Sequence, residues 1–410
     1  EHMSKYLTNY LFIQFCLGLG FMLIMAGFVY SAEYPQHVKN ALYVASVGLF
    51  LSSMSLPFRS VIVSMQRLTI TARINFFNAL INVSMMALAI AFRQNVFFLA
   101  FISVAVSVFD ILIYGVIVHK KFARVSFALD KAFIRSLFIW NTPFMLLTFF
   151  SIYNRIDGLI LPHFRSFVET GYYTAAYKFW DALAYFPGIL GITLYPFFAH
   201  AISRGLLDDA RNGLETYTRY MIAIAFPMSV GAFFMAERIL IDIIDPEFAP
   251  AAPALWLLII AVSILFIYTP VNSLIISQLT RTATKVTAFT FFFNLILNIL
   301  LIPKFGFVAA AAITALSELI QALGYTYFVK TKIVKFQIFR NMFKPLAASI
   351  IMGAFLFVFQ AHNLWIVIAL GGLIYATSLF ILGFFHKSDW ELFKAAVNVK
   401  KELNPEQTKP

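Results

Sequence analysis

Apolar runs of about 18–30 residues recur along the whole chain, each long enough to cross a hydrocarbon core of about 30 Å. They lie near 6–31, 40–62, 75–92, 95–118, 136–162, 171–200, 220–245, 251–276, 285–303, 306–330, 343–360 and 363–385. Polar and charged residues collect in the short gaps between them. An open strand edge in lipid leaves backbone N–H and C=O groups unpaired, so the runs predict helices. The ten-residue alternation of a barrel strand is not seen. The pattern predicts an all-α polytopic membrane protein with twelve transmembrane helices.

Composition strengthens that reading. Hydrophobic residues make up 61% of the 410 and charged residues 12%, against roughly 45–50% and 25% in an ordinary globular chain. That few charges cannot cover a soluble protein of this size. Cys16 stands alone in an apolar run, which excludes disulfides and cysteine-based metal sites.

The net charge of +12 raises nucleic acid as a partner, until the basic residues are placed. Twenty-three Lys and Arg fall on one set of alternate connections, including Lys5, Arg67, Lys120, Arg211, Lys330 and Lys401; five (Lys39, Arg93, Arg165, Arg238, Lys304) fall on the other. Three more, Arg59, Arg155 and Lys178, lie within spans. Positive charge marks the cytoplasmic side, so both termini are expected there, in the plasma (inner) membrane. Charge spread over seven short segments is topological, and no nucleic-acid partner is expected. After position 385, Ser388-Asp389-Trp390-Glu391 resembles a capping box, with Phe393 and Val397 following at helical spacing. This predicts an amphipathic cytoplasmic tail over 387–410.

The chain repeats itself. Pro57-Phe58-Arg59-Ser60-Val61-Ile62-Val63-Ser64 pairs with Pro270-Val271-Asn272-Ser273-Leu274-Ile275-Ile276-Ser277 at an offset of 213. The next helices share N-x-x-x-N, Asn78/Asn82 against Asn294/Asn298, and Ser107–Asp110 pairs loosely with Ser317–Ile320. Spans 1–4 therefore read as a copy of spans 7–10. Spans 5 and 6 precede the second copy and nothing precedes the first, so an opening hairpin of about 50–70 residues is expected before Glu1. Tandem six-helix units of like orientation describe a transporter whose bundles are related by an axis along the membrane normal.

Ionisable groups at membrane depth are costly and point to function. Span 5 carries Arg155 and Asp157, and span 6 carries Lys178 and Asp181 one turn apart. With the two helices antiparallel across a short loop, these four come to similar depth. They are expected to form a mixed-charge cluster. In one reading Arg155 and Lys178 attract an anionic headgroup while Asp157 or Asp181 serves ion coupling; in the other the four neutralise one another and lock the hairpin. Tyr172, Tyr173, Tyr177 and Trp180 suit either sugar stacking or an interfacial aromatic belt. Arg59, beyond Pro57, is a further cavity-facing candidate or a snorkelling cation. Asp110 and Glu318 are acids of corresponding spans, either ion-coupling groups or paired structural acids. No Walker loop, no G-x-G-x-x-G and no H-E-x-x-H is present; neither an ATPase, a cofactor, a metal site nor an enzyme is expected.

The run Asn154-Arg155-Ile156-Asp157-Gly158-Leu159-Ile160-Leu161-Pro162-His163-Phe164, followed by Val168-Glu169-Thr170-Gly171-Tyr172-Tyr173-Thr174-Ala175-Ala176-Tyr177-Lys178, resembles the seventh-to-eighth helix region of Wzx-type polysaccharide and O-antigen lipid flippases. These belong to the multidrug/oligosaccharidyl-lipid/polysaccharide exporter superfamily. The resemblance is diffuse in residues, and Lys178 is displaced one place from the basic position of the pattern. It implies a fourteen-helix fold of two pseudo-symmetric bundles plus a terminal pair, of which this chain would hold helices 3–14: an N-terminal bundle over 1–122, a six-helix bundle over 123–335 and a helix pair over 336–386. It further implies movement of undecaprenyl-diphosphate-linked oligosaccharide between leaflets for surface polysaccharide synthesis, by alternating access. Arg155, Lys178, Arg59, Tyr173 and Tyr177 would then meet substrate, and polysaccharide polymerase and glycosyltransferases would be partners. Alternatives are a drug/cation antiporter of the same superfamily, whose cavity should be net acidic, and a membrane-embedded glycan polymerase or ligase, which should carry a large external loop.

Overall fold

The computed structural model describes residues 2–31, 35–65, 67–93, 95–123, 125, 129–338 and 342–385. Eleven α-helices follow in order: α1 (His2–Ser31), α2 (Gln36–Ser64), α3 (Leu68–Ala91), α4 (Val96–Lys121), α5 (Lys131–Phe150), α6 (Tyr153–Phe164), α7 (Phe167–Ser203), α8 (Leu207–Ile243), α9 (Ala252–Lys332), α10 (Phe343–Phe359) and α11 (Leu364–Ile381), with a 3-10 turn at Pro246–Ala251. All regular structure among the described residues is helical, as the apolar runs require.

Helix starts follow the sequence. The side chains of Asn95, Ser166 and Asn363 accept backbone N–H groups of the first turns of α4, α7 and α11. Ser166 and Glu169 have the S-x-x-E spacing of a capping box. The expected span 136–162 is divided at Ser151–Ile152 into α5 and α6. The 81 residues of α9 are bent twice, at Leu279 (φ −131°, ψ 48°) and Gly306 (φ 64°, ψ −150°), so it holds three expected spans end to end. Only glycine takes the φ at 306 without strain. Nine of the described helices are long and apolar enough to cross a bilayer, and α10 is shorter. The expected twelve counts the three legs of α9 singly and adds α10.

Interior and exterior are inverted relative to a soluble protein. Ile24 (72% exposed), Phe167 (85%) and Ile381 (77%) face outward, while Asn294, Asn298, Thr314, Ser317 and Glu318 are fully buried. Acyl chains solvate the outside, and polar groups find one another within.

The chain forms two compact units, Glu1–Asn141 and Thr142–Pro410. In the first, Leu7, Val61, Ile62, Tyr114 and Val118 of α1, α2 and α4 make the core. In the second, α7 and α8 pack along the first and third legs of α9, and α10–α11 pack on α8. Lys344 donates to the Gly383 carbonyl at 2.6 Å and Arg238 to the Gln360 and His362 carbonyls, tying both ends of that pair. Each unit joins an asparagine to the following polar helix: Asn78 donates to Asp110 in the first, and Asn294 to Ser317 in the second. By this contact the counterpart of Asp110 is Ser317, with Glu318 one residue on. The expected tail over 387–410 lies outside the described residues.

Candidate functional site

The short connection at Arg165–Ser166 folds α7 back on α6. Along α7, Tyr173, Tyr177 and Asp181 recur at four-residue steps and Lys178 stands three residues before Asp181, which places them on the side of the helix facing α6. Arg155 and Asp157 come from α6. These six line one cavity of about 100 Å³. The expected four-charge cluster is therefore formed.

Its members do different things. Arg155 and Asp181 pair at the exposed mouth through contacts of 2.5 and 3.4 Å. The Arg155 guanidinium also stands 4.8 Å from the Tyr177 ring centroid. Lys178 is exposed, and none of the ion pairs found among the described residues involves it. Asp157 forms the floor at 1% exposure. Its carboxylate accepts from the Tyr173 hydroxyl, from Thr314 Oγ1 at 2.8 Å and from the Gly158 N–H at 2.7 Å. All three donors are neutral. Asp181 thus has a directly paired counter-ion, while Asp157 is bound only by neutral donors, with Arg155 near enough for its charge to act there, an environment in which gain or loss of a charge carries a large electrostatic consequence.

Thr314 leads into a second polar group. Glu318, one turn further along the third leg of α9, accepts from the Tyr268 hydroxyl at 2.8 Å, and Gln321 donates to the same hydroxyl at 3.3 Å. Asn298 donates to Asn294 at 2.7 Å, and Thr287 meets Tyr325 at 2.7 Å. Tyr172 does not join the cluster; it packs on Phe248 and Phe307. Arg59 and Asp110 belong to the first unit, where Arg59 is exposed and near enough to Asp110 for its charge to act there. Sequence reasoning missed Thr314 and Tyr268. Their signal is faint, because lone hydroxyls in apolar helices commonly satisfy their own backbone, as Thr314 also does toward Ala310. Among the described residues, no three His, Cys, Asp or Glu side chains gather as a metal site would require.

Comparisons with known proteins fit this architecture. Residues 1–202 match the family model described as polysaccharide biosynthesis protein. The uncharacterized membrane protein MJ1068 of Methanocaldococcus jannaschii is 29% identical over 227 residues, covering 53% of this chain and 45% of that protein. The chain thus matches less than half the length of this curated relative. The solved structure of lipid II flippase MurJ, in an inward closed conformation, is similar with a TM-score of 0.69 at 16% identity, over 92% of this chain and 84% of that one. The fold is shared. Together with the family match, this agrees with the resemblance read from the sequence and bears out the all-helical membrane fold it implied.

Proposed function

We propose that the chain is a lipid-linked saccharide flippase, a transporter and not an enzyme, working on a polyprenyl-diphosphate-linked glycan in surface polysaccharide synthesis. The observation that carries the reading is the α6–α7 cavity, which sets Arg155 and Lys178 at an open mouth above Asp157. A diphosphate needs cations with donors to spare; Lys178 is uncommitted, and Arg155 already offers its planar face to Tyr177 and its edge to Asp181. The glycan headgroup enters from the cytoplasmic side, the prenyl tail stays in lipid, and the two homologous bundles alternate access. Asp157 is the coupling acid, with Glu318 next along the same polar path. Arg59 and Asp110 act in the first bundle. Both termini lie in the cytoplasm, and glycosyltransferases and a polymerase work on either side of the step.

A second reading, a drug/cation antiporter, is favoured by the buried acids Asp157 and Glu318. The basic mouth argues against it. Proteoliposomes holding a fluorescent polyprenyl-diphosphate glycan test the two: flipping supports the flippase, while proton flux induced by organic cations supports the antiporter.

A further inference from the structure

At the mouth of the α6–α7 cavity the planar cation is already occupied. Arg155 turns the forked edge of its guanidinium to Asp181, with contacts of 2.5 and 3.4 Å to the two carboxylate oxygens. That edge is the part of an arginine that grips a phosphoryl group. Asp181 makes its choice across helices. Lys178 stands three residues before it on α7, yet joins none of the ion pairs found among the described residues.

The guanidinium is held in that orientation. It lies over the Tyr177 ring, 4.8 Å from the centroid. Tyr177 is itself fixed, 5% exposed and packed on the rings of Tyr173 and Trp180 at 5.5 and 5.1 Å. With one face covered, an incoming anion meets the edge that Asp181 holds. The cavity offers about 100 Å³, roughly the liquid volume of three waters. Carboxylate and phosphoryl oxygens therefore take the fork in turn, not together.

The exchange favours one kind of anion. A headgroup with a single negative charge replaces one contact on Arg155 by another and leaves Asp181 uncovered beside it, so little is gained. A diphosphate carries charge on two phosphoryl groups. One displaces Asp181 from Arg155 and the other takes Lys178, two contacts for one. Any route that brings a diphosphate headgroup to the mouth also admits ordinary anionic phospholipids, which are in large excess in a membrane. A site that must stay clear of them needs a repulsive element as well as attractive ones.

We infer, resting on the reading of this cavity as a diphosphate site, that Asp181 is a specificity-determining residue. It is a built-in competitor that keeps singly charged lipid headgroups off Arg155 and yields to a diphosphate.

The test measures binding of undecaprenyl diphosphate bearing one N-acetylhexosamine to the full chain in nanodiscs. The discs are neutral phosphatidylcholine, alone or mixed with singly charged phosphatidylglycerol. In the neutral discs Asp181→Asn should bind about three- to tenfold tighter than the parent, the cost of breaking the pair and of the uncovered carboxylate being gone. Phosphatidylglycerol should leave the parent's affinity within about twofold and cancel most of the variant's gain. Asp181→Glu keeps the charge and should behave as the parent. In an Arg155→Gln background Asp181→Asn should bring no gain, because the contact it relieves is absent. No tightening in Asp181→Asn, the same tightening without Arg155, or a gain that survives phosphatidylglycerol overturns the competitor and leaves the diphosphate reading standing. Parent binding that neither Arg155→Gln nor Lys178→Gln weakens, or no binding by the folded parent, overturns both.

Discussion

Thr314 Oγ1 lies 2.8 Å from the Asp157 carboxylate, joining residues 157 positions apart in the chain. The bond fastens the short helix α6 to the third leg of α9 in the middle of a hydrophobic core. A change of charge at Asp157 is therefore felt directly by the helix that carries Glu318.

Asp157→Asn tests that link. The amide can accept from Tyr173 and Thr314 through one oxygen, but its NH2 faces the Gly158 N–H where the second oxygen stood. A stability loss of about 1–3 kcal/mol is expected, measured by thermal unfolding in detergent. Transport should lose its dependence on the imposed ion gradient. Gradient dependence retained in the variant would remove Asp157 from the coupling role.

Arg155→Gln should separate stability from function. The Arg155–Asp181 pair is 57% and 31% exposed at its two side chains, so its loss should cost under about 1 kcal/mol. Glycan-lipid transport should fall tenfold or more. Lys178→Gln should do the same with no change in unfolding temperature, since no ion pair is lost.

Gly306→Ala should destabilise the hairpin between the second and third legs of α9. A Cβ there forces a left-handed residue, at about 1–2 kcal/mol, and meets the Glu169 carboxylate. Arg165 donates to the Ile302 carbonyl at 3.2 Å in the same turn, so Arg165→Ala should loosen the same segment. Faster hydrogen exchange over 302–308 in both variants is the expected readout.

At the start of α5, Asp130 accepts from Lys5 at 2.6 Å and from the Phe133 N–H at 3.0 Å. The Lys5 contact first, and the Phe133 N–H next, hold its carboxyl below the usual carboxylate range. A depressed carboxyl stabilises the fold above its unfolded value near 3.9 and loses that contribution as pH falls through the lower folded value. The Phe133 amide should therefore be protected from exchange at neutral pH and lose that protection in acid. Asp130→Ala should show that loss at every pH.

Much of this was legible in the sequence, and the reasons are physical. Apolar runs of span length fix the helical class, because lipid allows little else. The α6–α7 cluster was legible because four charges at matching distances from one tight turn must meet when the helices fold back. What could not be read was partner choice: that Asp181 takes Arg155 while Asp157 takes neutral donors depends on Thr314 arriving from 157 residues away.

The most direct test of the whole account is flipping by the protein in proteoliposomes loaded with a fluorescent undecaprenyl-diphosphate glycan, scored as the fraction of lipid reaching the outer leaflet. The account predicts flipping that follows the ion gradient and is lost in Arg155→Gln and Lys178→Gln. Flipping undiminished in the double variant, or none by the folded parent, would contradict it.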